Sequence, residues 1–134
     1  CLRQDSGGPG KWGGGLGFDK QYVLLAPCEL WANFDRIGCP PWGVQGGKSG
    51  KSGHVLIYEN GDQQPELLYK TENRPLQAGD RVRMSTGGGG GYGDPRRRAT
   101  ELVLRDLTRG LVSLESARDD YGVMIDAHGN ARRE

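Results

Sequence analysis

Residues 86–94 read TGGGGGYGD, and glycine dominates the whole 134-residue chain. Its 24 glycines are about 18% of the residues, against ~7% in average proteins. In three stretches glycine recurs at every third position: Gly7, Gly10 and Gly13; Gly47, Gly50 and Gly53; Gly87, Gly90 and Gly93. A polyproline II helix turns once per three residues, so each trio would form a face without side chains. Another extended backbone could pack closely against such a face.

Flexible loops are the alternative interpretation of these glycines, because ordering glycine costs more backbone entropy than ordering any other residue. Such stretches stay ordered only when they pack against other backbone. Three of them offer each other limited surface in a chain of 134 residues. We therefore expect partner chains to supply part of the packing surface.

Short apolar segments lie between the glycine-rich stretches. Predicted strands are residues 21–26, 29–34, 54–58, 66–70 and 81–86. Asn60-Gly61-Asp62 predicts a turn that makes residues 66–70 the hairpin partner of residues 54–58. The first two thirds of the chain are therefore predicted to be β-structure.

The pattern becomes helical after Pro95. Residues 99–108 carry leucines at a helical period and end before Gly110, and Ser113 is a good N-cap for a second helix that ends before Gly122. Residues 127–134 are polar and are expected to fray. The prediction is one structural unit with a glycine-rich β/polyproline II region over residues 1–97 and a C-terminal αα-hairpin with a tail over residues 98–134.

Charge and cysteine content exclude several classes of protein. Lys and Arg (18) nearly balance Asp and Glu (17), which gives no electrostatic argument for binding nucleic acid or a membrane surface. No apolar run reaches the ~18 residues of a membrane-spanning helix. Three cysteines without a C-x-x-C pair argue against a disulfide framework and favour a reducing cytoplasm. The chain does not begin with Met, so either Met was removed or the chain is part of a longer one.

Two nucleotide-binding motifs are matched only superficially. Residues 8–13 fit G-x-G-x-x-G, but no strand precedes them, no helix follows them, and Pro9 lacks a donor. The Gly-Lys-Ser sequences at 47–49 and 50–52 lack the glycine that begins a P-loop. Neither stretch predicts a phosphate site.

Metal binding and nucleophilic chemistry are weakly supported by the sequence. A metal site would require Cys28, Cys39, His54 and a carboxylate to converge, while His128 stands alone, so no metal is predicted on this chain. Cys1 carries a thiol beside its own α-amino group, the arrangement of N-terminal nucleophile hydrolases, and is kept as a candidate nucleophile. The arginines at 96–98 are balanced by nearby acids and indicate a solvated helix start or an interface.

A family resemblance covers nearly the whole chain. The segments that carry it are GGGGGYGDP at 87–95, ELVLRDLTRGLVS at 101–113, DYGV at 120–123, LRQDSGGPG at 2–10, GGLG at 14–17, PPWG at 40–43 and GGK at 46–48. Together they resemble the C-terminal end of the hydantoinase B, 5-oxoprolinase and acetone or acetophenone carboxylase family. The sequence differs from the family pattern at Trp12-Gly13-Gly14, where relatives usually carry an Arg.

The resemblance implies a fold and an activity. The fold would be mainly β, with barrel-like sheets, glycine-rich polyproline II segments and a C-terminal helical hairpin. Members act in cytoplasmic, ATP-dependent hydrolase, carboxylase or ligase complexes. In these complexes a kinase-fold A-type subunit activates a cyclic amide, a ketone or bicarbonate. ATP and a divalent metal would bind on other chains of this hetero-oligomer, and none is predicted on this one.

The resemblance also implies that the chain matches only the last part of a much longer B-type subunit. We expect it to dock on the remainder of that subunit and on the A-type subunit, and to supply scaffold, interface or substrate passage, with little activity alone. Candidate substrate, anion or interface contacts are Asp5, Ser6, Gly87, Gly88, Gly89, Gly90, Gly91, Tyr92 and Asp94, because backbone N–H groups of a glycine loop can bind anions. The catalytic residues are unknown. A self-standing glycine-rich β-module for binding or structure is the alternative.

Overall fold

A computed structural model describes residues 1–59, 61, 64–126 and 129–133. Its strands are β1 (Asp19–Val23), β2 (Cys28–Asn33), β3 (His54–Tyr58), β4 (Glu66–Leu68), β5 (Lys70–Leu76), β6 (Arg81–Ser85), β7 (Val123–Ile125) and β8 (Ala131–Arg133). Its helices are α1 (Thr100–Thr108) and α2 (Leu114–Asp119), and a 3₁₀ turn spans Pro95–Arg97. The mainly β prediction with a C-terminal helical pair is confirmed.

The strands form three antiparallel sheets. A four-stranded sheet has the order β1-β6-β3-β4, while β2 pairs with β5 and β7 pairs with β8. The predicted hairpin of β3 with β4 is confirmed, although Asn60 and Asp62 of its turn lie outside the described residues. The described strands leave these sheets open and do not close a barrel.

Two apolar cores hold the strands and helices. The first lies between the four-stranded sheet and the β2–β5 pair, where Val55, Ile57 and Val82 meet Ala32 and Leu76. The second joins the helices to the C-terminal hairpin through Val103, Ala117, Tyr121 and Val123. The glycine-rich segments contribute no side chain to either core.

The ends of the helices follow from local sequence. Ser113 caps α2, its side chain accepting a hydrogen bond from the Ser116 N–H at 3.1 Å. Gly110 and Gly122, which follow the two helices, have φ angles of +69° and +64°, the left-handed conformation that glycine tolerates best. The predicted caps and stop signals are therefore confirmed.

Two segments differ from the prediction. Residues 131–133 of the tail do not fray but form β8, because Ala131 packs with Ile125 against the helical core. Residues 71–76 were not predicted as a strand, yet they belong to β5, whose Pro75 lies opposite Glu29 of β2. Residues 127, 128 and 134 of the expected tail, including His128, lie outside the described residues. In the part of the chain that the structure describes, no helix is long and apolar enough to cross a bilayer.

Candidate functional site

The glycine-rich segments pack together as a bundle of extended ribbons. We name them the first (residues 6–10), second (13–17), third (41–44), fourth (47–53) and central ribbon (87–91). The central ribbon contacts each of the other four. No glycine of the ribbons has a left-handed φ, whereas Gly46, in the turn before the fourth ribbon, has a φ of +90°. The bundle joins the sheets to the helices.

Successive glycines of the central ribbon face different neighbours. A Cβ on Gly88 would overlap the carbonyl of Ser6, and one on Gly90 would overlap that of Trp42. A Cβ on Gly89 would come 3.3 Å from the Gly15 nitrogen. Side chains are therefore excluded at Gly88 and Gly90, which face different ribbons, as at the axis of a collagen triple helix.

The predicted three-residue spacing is confirmed most clearly in the fourth ribbon. A Cβ on Gly47 would overlap the Gly91 carbonyl, one on Gly50 would overlap the Gly88 carbonyl, and one on Gly53 would lie 2.9 Å from the Ser85 oxygen. One face of the ribbon thus follows residues 85–91 in steps of three.

The other two trios obey this rule only in part. A Cβ on Gly7 or Gly10 would overlap neighbouring backbone atoms. A Cβ on Gly13 would instead have its nearest atom 3.8 Å away, at the Tyr121 hydroxyl. Gly90 is tightly enclosed, whereas Gly93 has a φ of +74° and makes a turn. Spacing alone does not separate packed glycines from turn glycines.

Backbone N–H groups of the candidate anion loop donate within the bundle. Gly88 donates to the Lys51 carbonyl at 3.0 Å, Gly89 to the Gly15 carbonyl at 2.8 Å and Gly91 to the Lys48 carbonyl at 2.9 Å. These donors stabilise the ribbons, and an anion would have to compete for them.

Asp5 and Ser6 connect the first ribbon to other elements. Asp5 adopts a left-handed φ of +55° and accepts a hydrogen bond from the Ser113 N–H at 2.9 Å. The hydroxyl of Ser6, a fully buried residue, donates to the Arg3 carbonyl at 2.5 Å and accepts from the Gly17 N–H at 2.9 Å. Both side chains thus hold neighbouring backbone in place.

Tyr92 and Asp94 lie at the exposed end of the central ribbon. Tyr92 exchanges backbone hydrogen bonds with Trp12, and both rings are more than half exposed. The Asp94 carboxylate accepts from the Arg96 N–H at 2.9 Å and caps the 3₁₀ turn. Asp94 is used as a cap, while Tyr92 and Trp12 remain exposed and the Lys11 ammonium lies 5.9 Å from the centre of the Trp12 ring.

Cys1 lies at the edge of the four-stranded sheet. Its α-amino group donates to the Asp19 carbonyl at 3.0 Å, and the Asp19 N–H donates back to the Cys1 carbonyl at 2.9 Å. The residue is exposed, with a free thiol. The ammonium group is therefore anchored beside the first strand, and the nucleophile role stays a prediction.

A buried ion pair that the sequence did not predict connects the 3₁₀ turn to α1. Arg98 donates to the Asp106 carboxylate at 2.6 Å and to the Lys11 carbonyl at 3.0 Å. Arg98 is only 9% exposed, whereas Arg96 and Arg97 are exposed. The predicted solvated helix start fits those two arginines and is wrong for Arg98. Sequence could not separate the three, because tertiary packing decides which one turns inward.

The ion pair lines a cavity of about 210 Å³ between the bundle and the helices. Asp5, Gly13 and Tyr121 also line it, and the Nε of Arg98 is buried without a hydrogen-bond partner. Burial raises the pKa of the Tyr121 phenol, so this side chain is neutral at physiological pH. The cavity thus holds a buried ion pair and a neutral phenol beside apolar side chains such as Leu111 and Val112.

A second, wider cleft of about 460 Å³ lies between the fourth ribbon and α2. Lys48 and Asp120 form an ion pair across it at 2.6 Å, and Ser116 donates to the same carboxylate at 2.8 Å. The lysine is half exposed, so the pair contributes little stability. The cleft carries charges of both signs and has no catalytic constellation among its described residues.

His54 begins β3 beside positive charge. Burial and the Arg3 guanidinium lower the pKa of this imidazole, which favours its neutral form. Within residues 1–59, 61, 64–126 and 129–133, no three His, Cys, Asp or Glu side chains are grouped to hold a metal ion. The described residues that could act as ligands are therefore dispersed.

Several known proteins are similar to this chain in sequence, and two solved structures are similar to it in fold. A Methanocaldococcus jannaschii protein of uncharacterized activity is 43% identical over 92% of the chain and 22% of its own length. A Pseudomonas protein described as the B-type component of a D-/L-hydantoinase is 35% identical over 92% of the chain and 21% of its length. The beta chain of the Pseudomonas jessenii caprolactamase is 37% identical over 96% of the chain and 23% of its length. The chain thus spans between a fifth and a quarter of these relatives.

Two solved structures contain the same fold. The ATP-dependent caprolactamase of Pseudomonas jessenii matches with a TM-score of 0.80 and 31% identity, over 97% of this chain and 23% of the other. A nucleotide-free acetone carboxylase matches with a TM-score of 0.72 over 98% of this chain and 22% of the other; at 20% identity it supports the fold alone. The family model described as Hydantoinase B/oxoprolinase matches residues 1–95, and this chain belongs to that family.

Proposed function

We propose that the chain is the glycine-rich scaffold of an ATP-dependent amide-hydrolysing complex. The observation that carries the proposal is the caprolactamase match, which extends over 97% of the chain at 31% identity. In this proposal a kinase-fold subunit uses ATP to activate a cyclic amide, and the B-type polypeptide supports addition of water. ATP and a divalent metal are bound on other chains.

Amide hydrolysis is favoured over carboxylation by sequence. The hydantoinase and caprolactamase relatives are 35% and 37% identical to the chain, whereas the carboxylase likeness rests on fold. A fold alone does not specify a reaction. The substrate class proposed is therefore a lactam or a cyclic ureide.

A scaffold role agrees with the hydrogen bonds of the candidate site residues, which are made within this chain. Ser6 is fully buried, and its hydroxyl both donates and accepts a hydrogen bond. The Asp5 carboxylate accepts from the Ser113 N–H in the loop before α2. The N–H groups of Gly88, Gly89 and Gly91 donate to carbonyls of this chain. These groups hold ribbons together and leave no free nucleophile or base among them. The chain would act by fixing the shape of the B-type polypeptide around a site formed elsewhere.

The test is purification of the complex through an affinity tag on this chain, followed by turnover assays. We expect ring opening of caprolactam, hydantoin or 5-oxoproline, with one ADP formed per ring opened. Bicarbonate-dependent consumption of acetone without ring opening would instead assign carboxylation. A chain that purifies alone as a folded monomer would contradict the proposal and support a self-standing β-module.

Two glycine variants provide a matched control. Gly90→Ala puts a methyl group into the Trp42 carbonyl, whereas Gly15→Ala puts one into open space in the second ribbon. We expect Gly15→Ala to retain assembly and ATP-coupled turnover. Gly90→Ala should lower both the yield of assembled complex and its turnover, because the central ribbon cannot accommodate a side chain.

A further inference from the structure

The core face of the four-stranded sheet becomes exposed towards β1. Ile57, Val82 and Tyr22 lie side by side on β3, β6 and β1, because Ile57 is opposite Val82 and Val82 is opposite Tyr22. The three side chains share one face, yet their exposed fractions are 1%, 3% and 40%. The β2–β5 pair therefore covers β3 and β6 but leaves β1 largely uncovered.

An apolar groove of about 270 Å³ occupies this position. Its walls include Tyr22 and Leu24 on one side and Cys28, Leu30 and Trp31 of β2 on the other. Core residues Leu76 and Val82 also line it. Buried side chains of the first core are thus reached directly from the surface.

Both walls of the groove are sheet edges. Among the described residues, β2 pairs with β5 alone, so it has one edge without a ladder partner. The outer edge of β1 meets Cys1 at Asp19, and from Lys20 to Val23 that edge has no ladder partner in the described part of the chain. An unpaired edge beside exposed apolar side chains is a ready site for an additional strand. Leu25, which is 92% exposed in the β1–β2 connection, extends the same apolar surface.

We propose that an extended apolar segment of the B-type polypeptide, from outside these 134 residues, fills this groove and adds to the open edge of β1. This inference rests on the proposed function. The matching fold of caprolactamase occurs in a chain of which this one covers 23%, so more than three quarters of that polypeptide lies outside it. The segment would bury Tyr22 and Trp31 and extend the first core.

Cys28 reports directly on the groove. It lines the groove wall, while Cys39 is an exposed thiol outside the groove lining, and both are free. The assembly purified through the tagged chain is treated with iodoacetamide, and labelling of each cysteine is followed by peptide mass spectrometry. Rates are normalised to those of the same peptides in denaturant. We expect Cys28 to react at least about tenfold more slowly than Cys39.

Photo-crosslinking identifies the occupant. The photoreactive residue p-benzoylphenylalanine replaces Trp31 in the groove or, as a matched control, Leu114 on α2, since the two side chains are 62% and 64% exposed. Irradiation of the assembly should join position 31 to the B-type polypeptide outside this chain. Position 114 should not yield that product.

The outcomes separate the groove from the proposed function. Assembly and turnover with Cys28 as reactive as Cys39 would overturn the groove alone. The same conclusion would follow from a crosslink of position 31 to the kinase-type subunit or to a second copy of this chain. Failure of the chain to assemble with any B-type polypeptide would overturn both proposals.

Discussion

The strand sandwich and the ribbon bundle are held together by opposite means. In the sandwich, Val55, Ile57 and Val82 are almost completely buried, and apolar side chains fill the space between two sheets. In the bundle, Gly88 and Gly90 lie so close to neighbouring carbonyls that no side chain fits. Side chains stabilise one region, and their absence stabilises the other.

This difference predicts how each region responds to a change of one methyl group. A sandwich core that loses a methyl group keeps most of its contacts and relaxes around a small cavity. A ribbon that gains one must separate from its neighbour and break interstrand hydrogen bonds, such as that from the Gly91 N–H to the Lys48 carbonyl. Substitution should therefore be tolerated far better in the strands than in the ribbons.

The largest expected effect is that of Gly90→Ala. The added Cβ would overlap the Trp42 carbonyl, so we expect loss of most of the folding free energy, which is about 5–15 kcal/mol for a typical domain. Urea unfolding of the assembled protein, followed by tryptophan fluorescence, measures the loss. In the control, Gly15→Ala should change stability by less than about 1 kcal/mol. Equal stabilities for the two variants would contradict close packing of the central ribbon.

Removal of one partner of the buried ion pair should have the next largest effect. Arg98→Met leaves the Asp106 carboxylate in a site where it is about a tenth exposed, with only the half-exposed Arg105 beside it. Breaking a buried pair in this way costs about 3–5 kcal/mol. The denaturation midpoint should fall accordingly.

A double variant tests whether the buried Asp106 carboxylate causes that loss. Arg98→Met combined with Asp106→Leu removes both charges, and replacement of a buried pair by apolar residues is often neutral. We expect it to recover most of the lost stability. A double variant as unstable as Arg98→Met would assign the loss to the hydrogen bond between Arg98 and the Lys11 carbonyl.

A smaller effect is expected when a methyl group is removed from the sandwich. Ile57→Val should cost about 1 kcal/mol, because the side chain is buried and the cavity left is small. The same unfolding measurement applies. A cost comparable to that of Gly90→Ala would remove the distinction between the two regions.

The sequence predicted the elements that depend on local signals. The bounds of β3 at His54–Tyr58 and the cap at Ser113 follow from apolar patterning and capping chemistry, and the spacing of Gly47, Gly50 and Gly53 follows from threefold backbone geometry. Each signal lies within a few residues of the structure that it specifies.

The elements that sequence missed depend on contacts between distant residues. Strand β5 contains Pro75 and several polar residues and is a strand because β2 lies beside it. Strand β8 forms because Ala131 reaches the helical core, and Arg98 turns inward because Asp106 and the Lys11 carbonyl receive it. The local sequence pattern does not indicate which distant residues will pack against a segment. For the candidate site, the sequence located the ribbons but not the ion pair and cavity beside them.

The smallest expected effect is a dependence of stability on acid pH that arises in the sandwich. Asp19 of β1 accepts hydrogen bonds from Ser85 at 2.5 Å and from Arg83 at 2.7 Å, both on β6. Burial alone would raise the pKa of this carboxyl, but the Ser85 hydroxyl and the Arg83 guanidinium together lower it below its ordinary value of 3.8. Asp19 therefore contributes stability above pH 3.8, which is lost as the pH falls through the lower pKa of the folded state.

Thermal unfolding between about pH 5 and pH 2 measures this contribution. Asp19→Asn should flatten the fall in midpoint at the acid end of the range. Ser85→Ala removes one donor, so the pKa of Asp19 in the folded state rises towards its ordinary value of 3.8 and the fall should become smaller. Because the central ribbon, which includes Gly88 and Gly90, carries no titratable side chain, we expect that ribbon to contribute nothing to this slope. If Asp19→Asn left the slope unchanged, the acid sensitivity would have to arise outside the β1–β6 pair.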